Sequence, residues 1–517
     1  MDDPITATEK AMPWYFPFIS FYLGLRFMIK VFKHYPIIPI LITALALRLA
    51  FIGAAPLWYD EAFTAWVSAI PFADMWAALL GDVHPPLYYS LTWGLVHLTG
   101  ADTPERLALA LRLLSVPFSL WAVYLTYQIG QALYWPKRAT LAAAAFMAVS
   151  PAQIFFAQEA RMYAIFQAVV LLAFLGLLKR QWWLATLSLA LALWLHNYGL
   201  IYWGALGLVV LFDYVKAYRT LGMLYHPRII FSHAAAFTIP LILWLPWVAV
   251  LARQMGTVAG GYWILPPTVG DILSSFYYIL GGITQRPEFH AVAVMVCFGA
   301  AILTVYRVIQ KRPPGWVPLA VFGFTPLAVA VIGSYLWQPV LLYRGLLPSS
   351  AALALLIGWA LTRGPVKYQA IAAALIVPVV LAALCNHYTA NPKDSNQEVA
   401  YLIERIRAEW QPGDIIYHVD AGSMVGFWLY ARDLPQYLAP PCEDETLGSL
   451  SAETRRGLGI IEKPLDEIDH GRAWVAYTIG PTARACMVRD YGYLAEGEAW
   501  EMSEDSECVF SGVWLHE

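Results

Sequence analysis

The chain has 517 residues, of which 59% are hydrophobic and only 13% are charged, with a mean hydropathy of +0.56. An ordinary soluble domain carries about 25% charged residues, so this composition excludes a soluble globular protein and indicates many membrane-spanning helices. The net charge of −3 is unevenly divided: residues 387–517, called the tail below, hold 10 Lys and Arg against 23 Asp and Glu, which leaves the membrane part basic.

The first predicted element, Trp14 to Phe32, is apolar but carries Arg26 and Lys30. We interpret it as an interfacial helix within a cytoplasmic N-terminus, residues 1–35. No cleavable signal peptide is evident.

Basic residues concentrate in alternate short loops, which marks those loops as cytoplasmic. This rule predicts a transmembrane domain, residues 36–386, with eleven spans near 36–56, 107–133, 139–157, 163–178, 183–197, 199–215, 229–251, 289–306, 316–335, 345–361 and 368–386.

Two segments near the first span are predicted to lie outside the bilayer core. The first outer loop, residues 57–85, has the apolar spacing of two short amphipathic helices on the bilayer surface. Pro86 to Thr99 is apolar but has only 14 residues, a length as typical of a re-entrant segment as of a span. A crossing would change the side of every later loop, and the count of spans lies between about eleven and thirteen. We prefer the non-crossing alternative, because Asp60, Glu61 and Glu159 then lie on one side with Arg344 and the tail.

The tail is predicted to be a small extracytoplasmic α/β domain. Its spacing predicts a helix over Ser395–Trp410, strands over Ile415–Val419 and Ala473–Ile479, a helix over Thr482–Tyr493 and a last strand over Cys508–Leu515. Three cysteines lie in this region, at 442, 486 and 508. One disulfide among them is open if the tail is exported, and the sequence does not give the pairing.

Polar residues cluster at the predicted outer ends of the helices. They are the adjacent acids Asp60 and Glu61, then Asp82, His84 and Tyr88, then Glu159, Arg161 and Tyr163, then His196, and finally Arg344. Carboxylates at the rim of a membrane cavity are costly and usually mark a substrate or ion site.

These motifs resemble the C-type glycosyltransferase superfamily (GT-C), and within it the family 39 group of protein O-mannosyltransferases and lipid A aminoarabinose transferase. The resemblance covers roughly residues 36–390. It implies transfer of a monosaccharide from a polyprenyl-phosphate donor to an acceptor outside the cytoplasm, with inversion. The plasma (inner) membrane is the implied location. A lipid, a glycan and a protein hydroxyl all remain open as acceptor, and no nucleic-acid partner is expected.

The resemblance also implies roles for the clustered residues. Asp60 corresponds to the base that takes the proton of the acceptor hydroxyl. Glu61 and Glu159 are expected to bind sugar hydroxyls or a metal. Arg161, Arg344 and His84 are expected to hold the lipid phosphate, since a guanidinium fork matches phosphate oxygens. Tyr88, Tyr163 and His196 complete the expected substrate-binding set.

A divalent metal is a further option, with Glu159, Asp82 and His84 as ligands, although no spacing rule supports it. Simpler structural roles stand beside these assignments. The acids at 60 and 61 would suit the start of a surface helix. Arg344 would suit a headgroup anchor, and the pair at 159 and 161 would suit a solvated helix end.

Two other function classes are considered, and the first of them, a transporter, would use the same rim charges to bind its substrate. A transporter or flippase for a lipid-linked sugar would more often show inverted repeats and helices broken at the midplane, and neither is evident in the sequence. A scaffold that binds a partner through its tail would not need the clustered motifs.

Overall fold

The structure is a computed structural model, and it describes residues 30–222, 225–258, 264–281, 287–389, 397–440, 450–469, 471–479 and 510–516. The predicted interfacial helix over Trp14–Phe32 therefore lies almost wholly outside the described residues. The predicted helix over Thr482–Tyr493 and the three tail cysteines lie outside them entirely.

The membrane part is built from α-helices. In chain order they are α1 Ile37–Leu49, α2 Tyr59–Ala69, α3 Phe72–Leu80, α4 Leu87–Thr99, α5 Pro104–Ala132, α6 Lys137–Val149, α7 Pro151–Ala157, α8 Tyr163–Leu178, α9 Trp182–Leu195, α10 Tyr198–Leu221, α11 Pro227–Val258, α12 Val269–Gly281, α13 Pro287–Lys311, α14 Trp316–Leu336, a 3₁₀ turn Tyr343–Leu346, α15 Ser349–Leu361 and α16 Val366–Thr389.

Each of the eleven predicted spans contains a helix. Within the described residues, six helices (α5, α10, α11, α13, α14 and α16) are long and apolar enough to cross a membrane, and α6 with α7 forms a seventh candidate. Four shorter apolar helices, α1, α8, α9 and α15, account for the rest. The helix of the last predicted span, α16, continues to Thr389, beyond the predicted end of the span at residue 386.

The predicted span 139–157 is not one straight helix. It bends by 57° between α6 and α7. Pro151 follows Ser150 at this point, and proline is favoured in the first turn of a helix but lacks the N–H that would continue the hydrogen bonds of α6. Arg48 of α1 is fully buried and donates hydrogen bonds to the carbonyls of Met147 (3.1 Å) and Ala148 (2.9 Å) at the end of α6. Arg48 therefore satisfies two of the carbonyls that the end of α6 leaves without a helical hydrogen bond.

The segment after the first outer loop contains α4, which has the tail near both of its ends. Arg432 of the tail donates a hydrogen bond to the carbonyl of Asp102, which follows α4. Ser451 and Thr454 of the tail lie against Gly81, which precedes it. These contacts agree with the non-crossing alternative, which stays a prediction. The two helices predicted for residues 57–85 are present as α2 and α3, but residues 61–68 of α2 are all buried. The apolar spacing of α2 therefore reflects packing inside the protein. The predicted position of α2 on the bilayer surface is wrong.

The described part of the tail is an α/β unit. Its elements are α17 Gln397–Glu409, β1 Ile415–His418, α18 Ala421–Ala431, β2 Gln436–Leu438, α19 Ala452–Gly457, a 3₁₀ turn Leu465–Glu467, β3 Ala473–Ile479 and β4 Phe510–His516. The sheet order is β2-β1-β3-β4, with β1 parallel to both neighbours and β4 antiparallel to β3. The expected helix and three strands are found, while α18, β2 and α19 are additions.

Candidate active site

The expected site residues lie where helices break at the tail side of the bundle. Asp60 is in the first turn of α2, and Arg161 is in the short connection between α7 and α8. His196 separates α9 from α10, and Arg344 lies in the 3₁₀ turn before α15. At such breaks the backbone turns, so side chains from several helices can face the same cavity.

Asp60 is joined to Arg344 across 284 residues of sequence. Arg344 Nη1 donates to Asp60 Oδ2 at 2.9 Å, and Arg161 Nε lies 3.9 Å from the same oxygen. The Asp60 and Arg344 side chains keep 18% and 16% of their surface exposed, whereas Arg161 keeps 3%. One carboxylate therefore lies between two guanidiniums at a partly open position.

This surrounding charge determines the protonation of Asp60. Burial of the carboxyl favours its neutral form, but Arg161, Arg344 and His84 together outweigh burial and hold the pKa of Asp60 below its usual range. The group is consequently a carboxylate at neutral pH, the form that accepts a proton.

Arg161 connects several of the expected residues. Its Nη1 donates to the hydroxyl of Tyr89 at 3.0 Å and to the carbonyl of Asp60 at 3.3 Å, and its Nη2 lies 3.4 Å from His84 Nε2. His84 Nδ1 lies 3.2 Å from Asp82 Oδ2. With Nδ1 as the donor to that carboxylate, His84 Nε2 is the acceptor for Arg161.

Glu61 points away from Asp60 into the protein. Its two carboxylate oxygens bond Arg112 of α5, Oε1 to Nε at 3.0 Å and Oε2 to Nη2 at 2.6 Å, and Oε1 also accepts from the amide of Ala160 at 2.7 Å. Glu61 Oε2 also accepts a hydrogen bond from the backbone N–H of Trp58, the residue before α2, at 3.4 Å.

Arg112 uses all five of its N–H groups. Besides Glu61, it donates to the carbonyls of Ile52 (3.1 Å), Ala55 (2.6 Å) and Pro56 (2.9 Å). Both members of the pair are fully buried. The pair therefore fixes the segment that leads into α2 and the residue directly before Arg161. This geometry corrects the expected contact of Glu61 with sugar hydroxyls or a metal, because its oxygens are occupied by protein donors. The simpler helix-start role applies to Glu61.

Among the described residues, two buried tyrosine hydroxyls near Arg161 and Arg344 make no hydrogen bond. They belong to Tyr88 and Tyr163. The Arg344 guanidinium carbon lies 5.8 Å from the centre of the Tyr163 ring. A buried hydroxyl without a partner is unfavourable, so these two groups are suited to a polar ligand.

His196 and Glu159 are also buried. His196 packs against the Tyr163 ring at 5.7 Å, and its Nδ1 accepts from the amide of Tyr198 at 3.0 Å, which leaves the proton of a neutral ring on Nε2. The Glu159 carbonyl accepts from Ser115 Oγ at 2.8 Å.

The proposed metal ligands do not fit a metal site. Among the described residues, no three His, Cys, Asp or Glu side chains are grouped to hold a metal ion. Asp82 and His84 bond each other, and the Arg161 guanidinium next to them disfavours a cation. The expected trio of Glu159, Asp82 and His84 is therefore corrected.

Sequence reasoning missed Arg112 and Tyr89. Arg112 lies inside a predicted span, where a charged residue is costly and usually paired, so that signal was available. Tyr89 follows Tyr88 directly in the sequence. Only the structure shows that Tyr89, and not Tyr88, bonds Arg161.

Comparisons with known proteins support the fold. No family model and no curated protein matches the chain. ArnT from Cupriavidus metallidurans in the apo state is similar with a TM-score of 0.59 and 13% identity, over 93% of this chain and 98% of that one. The same protein bound to undecaprenyl phosphate gives 0.56 and 14%, over 92% and 97%.

An oligosaccharyltransferase from Archaeoglobus fulgidus, in complex with Zn and sulfate, gives a TM-score of 0.53 and 12% identity, over 92% of this chain and 73% of that one. These likenesses span the membrane part and the tail together. The chain therefore shares the fold of these two membrane proteins, as the sequence motifs predict, and its long apolar helices are those of an integral membrane protein.

Proposed function

We propose that this protein transfers a monosaccharide from a polyprenyl-phosphate donor to an acceptor at the extracytoplasmic face of the plasma (inner) membrane. The observation that carries the proposal is the Asp60 carboxylate held between Arg344 and Arg161 in a partly open site. A base beside two guanidiniums has the charges that this reaction requires. The fold shared with ArnT, one structure of which is bound to undecaprenyl phosphate, agrees with a lipid-phosphate donor.

The donor phosphate binds Arg344 and Arg161. Because the phosphate and Asp60 compete for the same guanidinium protons, donor binding draws Arg344 away from Asp60 Oδ2. His84 and Asp82 hold Arg161 from the other side. The sugar hydroxyls bond Tyr88, Tyr163, His196 Nε2 and Glu159, while Glu61 positions α2 through Arg112.

The chemical step is a single displacement. The acceptor hydroxyl loses its proton to the Asp60 carboxylate as its oxygen attacks the anomeric carbon. The bond from that carbon to the phosphate oxygen breaks, and its electron pair leaves with polyprenyl phosphate, whose new charge is stabilised by the two arginines. Attack opposite the leaving group inverts the anomeric centre.

The test is a transfer assay on the purified full chain in lipid nanodiscs, with a panel of polyprenyl-phosphate sugars and of lipid, glycan and peptide acceptors. Mass spectrometry of the products identifies the sugar and the acceptor. Asp60→Asn is compared with Asp74→Asn, an exposed acid in the first turn of α3. We expect Asp60→Asn to lose about 100-fold or more in rate and Asp74→Asn to match wild type.

Full activity in Asp60→Asn would remove the base assignment. Movement of the intact lipid-linked sugar across the bilayer of proteoliposomes, without any new glycosidic bond across the panel, would instead identify a flippase.

A further inference from the structure

The tail packs directly on the helix that carries Asp60. Trp428 of α18 stacks on Trp66 of α2, with ring centres 4.8 Å apart and planes 6° from parallel. Trp66 is 3% exposed. Such a face-on contact between two large rings fixes the distance and the rotation of one helix relative to the other.

The next residue of α18 packs in a cluster with the two segments that carry Asp60 and Arg161. Leu429 is buried in an apolar cluster that includes Leu57, Ala65 and Ala160. Leu57 lies three residues before Asp60, and Ala160 directly precedes Arg161. A single tail side chain therefore packs in one cluster with the chain on either side of the carboxylate–guanidinium pair.

α2 is held on three different faces. Asp60 faces Arg344, and Glu61 faces Arg112. At 100° per residue, Trp66 lies about 120° around the helix from Asp60. An isolated helix of 11 residues is marginally stable in water, so these tertiary contacts determine where α2 lies. The tail contacts the third of these faces, the one that carries Trp66.

We propose that α18 is a positioning element of the active site, in which Trp428 and Leu429 hold α2 and the turn at Arg161 in the geometry that transfer requires. The tail is then a working part of the enzyme, although no tail residue touches the substrate. This inference rests on the proposed function, and one arm of its test does not depend on transfer activity.

The experiment uses the full chain in nanodiscs and three variants. Trp428→Ala removes the stacked ring, and Trp428→Phe keeps an aromatic ring in its place. Trp410→Ala is the matched control, because Trp410 packs in the tail's own apolar cluster among α17, α18 and the sheet. The readouts are kcat and KM for the donor, hydrogen exchange of residues 57–69 and 157–163, and the thermal unfolding midpoint.

We expect Trp428→Ala to lower kcat about 10- to 100-fold, since small displacements of catalytic groups have effects of that size. The donor KM should rise by a smaller factor than kcat falls, because Arg344 stays in place while only the turn at Arg161 loosens. Exchange should rise in both segments, and Trp428→Phe should restore most of kcat. Trp410→Ala should lower the unfolding midpoint and leave kcat and the exchange of these segments near wild type.

Two results would overturn the proposal. One is wild-type kcat and exchange in folded Trp428→Ala. The other is an equal loss of kcat in Trp410→Ala, which would assign the effect to tail stability. If wild type transfers no sugar, the proposed function fails, and the exchange arm alone still decides whether Trp428 orders α2.

Discussion

At the scale of single residues, the two adjacent acids have separate roles. Asp60 faces Arg344 at a partly open position, while Glu61 is fully buried against Arg112. Neighbouring residues on a helix point about 100° apart, so a pair in sequence need not be a pair in space. The sequence singled out both acids but did not predict that one is partly exposed beside Arg344 and the other is buried in an ion pair.

The Glu61–Arg112 pair is predicted to stabilise the fold strongly. Glu61→Gln leaves the buried guanidinium without its counter-charge, so we expect a loss of about 3–5 kcal/mol in the free energy of unfolding. Denaturant titration in detergent micelles measures it. The control is Arg106→Ala, which breaks an ion pair whose side chains are 70% and 68% exposed and should cost under about 1 kcal/mol. Equal effects of the two variants would contradict the assignment.

The protonation of Asp60 predicts a pH profile. Because the pKa of Asp60 is held below its usual range, the carboxylate persists as pH falls and is lost only when pH passes below that lowered value. We therefore expect the Asp60-dependent loss of kcat/KM to lie below about pH 4. Histidines titrate nearer neutrality, so the profile is recorded in wild type and in His84→Gln. If the Asp60-dependent fall in kcat/KM lies near pH 6 in both proteins, the pKa of Asp60 is not lowered as proposed.

At the scale of elements, hydropathy located the helices and missed their breaks. Each predicted span contains a helix because long apolar runs have no other stable form in lipid. The 57° bend after Ser150 has a local signal in Pro151, which hydropathy does not detect. The bonds from Arg48 to the end of α6 join residues 99 apart in sequence and leave no local signal. The site is assembled at these breaks, so its geometry was less predictable than its location.

The turn that carries Arg344 is packed too tightly for a larger residue. A Cβ on Gly345 would lie 2.7 Å from the Tyr198 ring, whose hydroxyl is fixed by bonds to Val340 and Leu342. We expect Gly345→Ala to displace Arg344 and to lower kcat/KM for the donor about 10-fold or more. The same assay on Gly333→Ala, where the nearest atom lies 3.5 Å away, should give near wild-type values. A Gly345→Ala rate within twofold of wild type would refute this.

At the scale of the whole molecule, the tail and the membrane part form a shared interface. Besides the α18 contact, Thr454 of α19 donates to the Ala78 carbonyl of α3 at 2.9 Å, and Arg253 of α11 pairs with Glu453. The charge difference between the two parts predicted a separate exported tail. Its docking on α2 and α3 was not predictable, because interfaces between distant segments follow from shape rather than from composition.

Orientation is predicted from the basic loops. In a background without native cysteines, Asp74→Cys of α3 should react with an impermeant thiol reagent from the outside, and Tyr134→Cys, an exposed site after α5, only from the cytoplasm. Labelling of intact cells and of inverted vesicles distinguishes the two. Labelling of both positions from one side would contradict the proposed topology.

The most direct test of the account is the binding of undecaprenyl phosphate to the purified protein in nanodiscs, which needs no knowledge of the sugar or the acceptor. We expect Arg344→Gln to raise Kd about 10- to 100-fold, as the loss of a hydrogen bond between charged groups does. The exposed-site control Arg106→Gln should leave Kd unchanged. An unchanged Kd in folded Arg344→Gln would show that the guanidinium beside Asp60 does not hold the lipid phosphate.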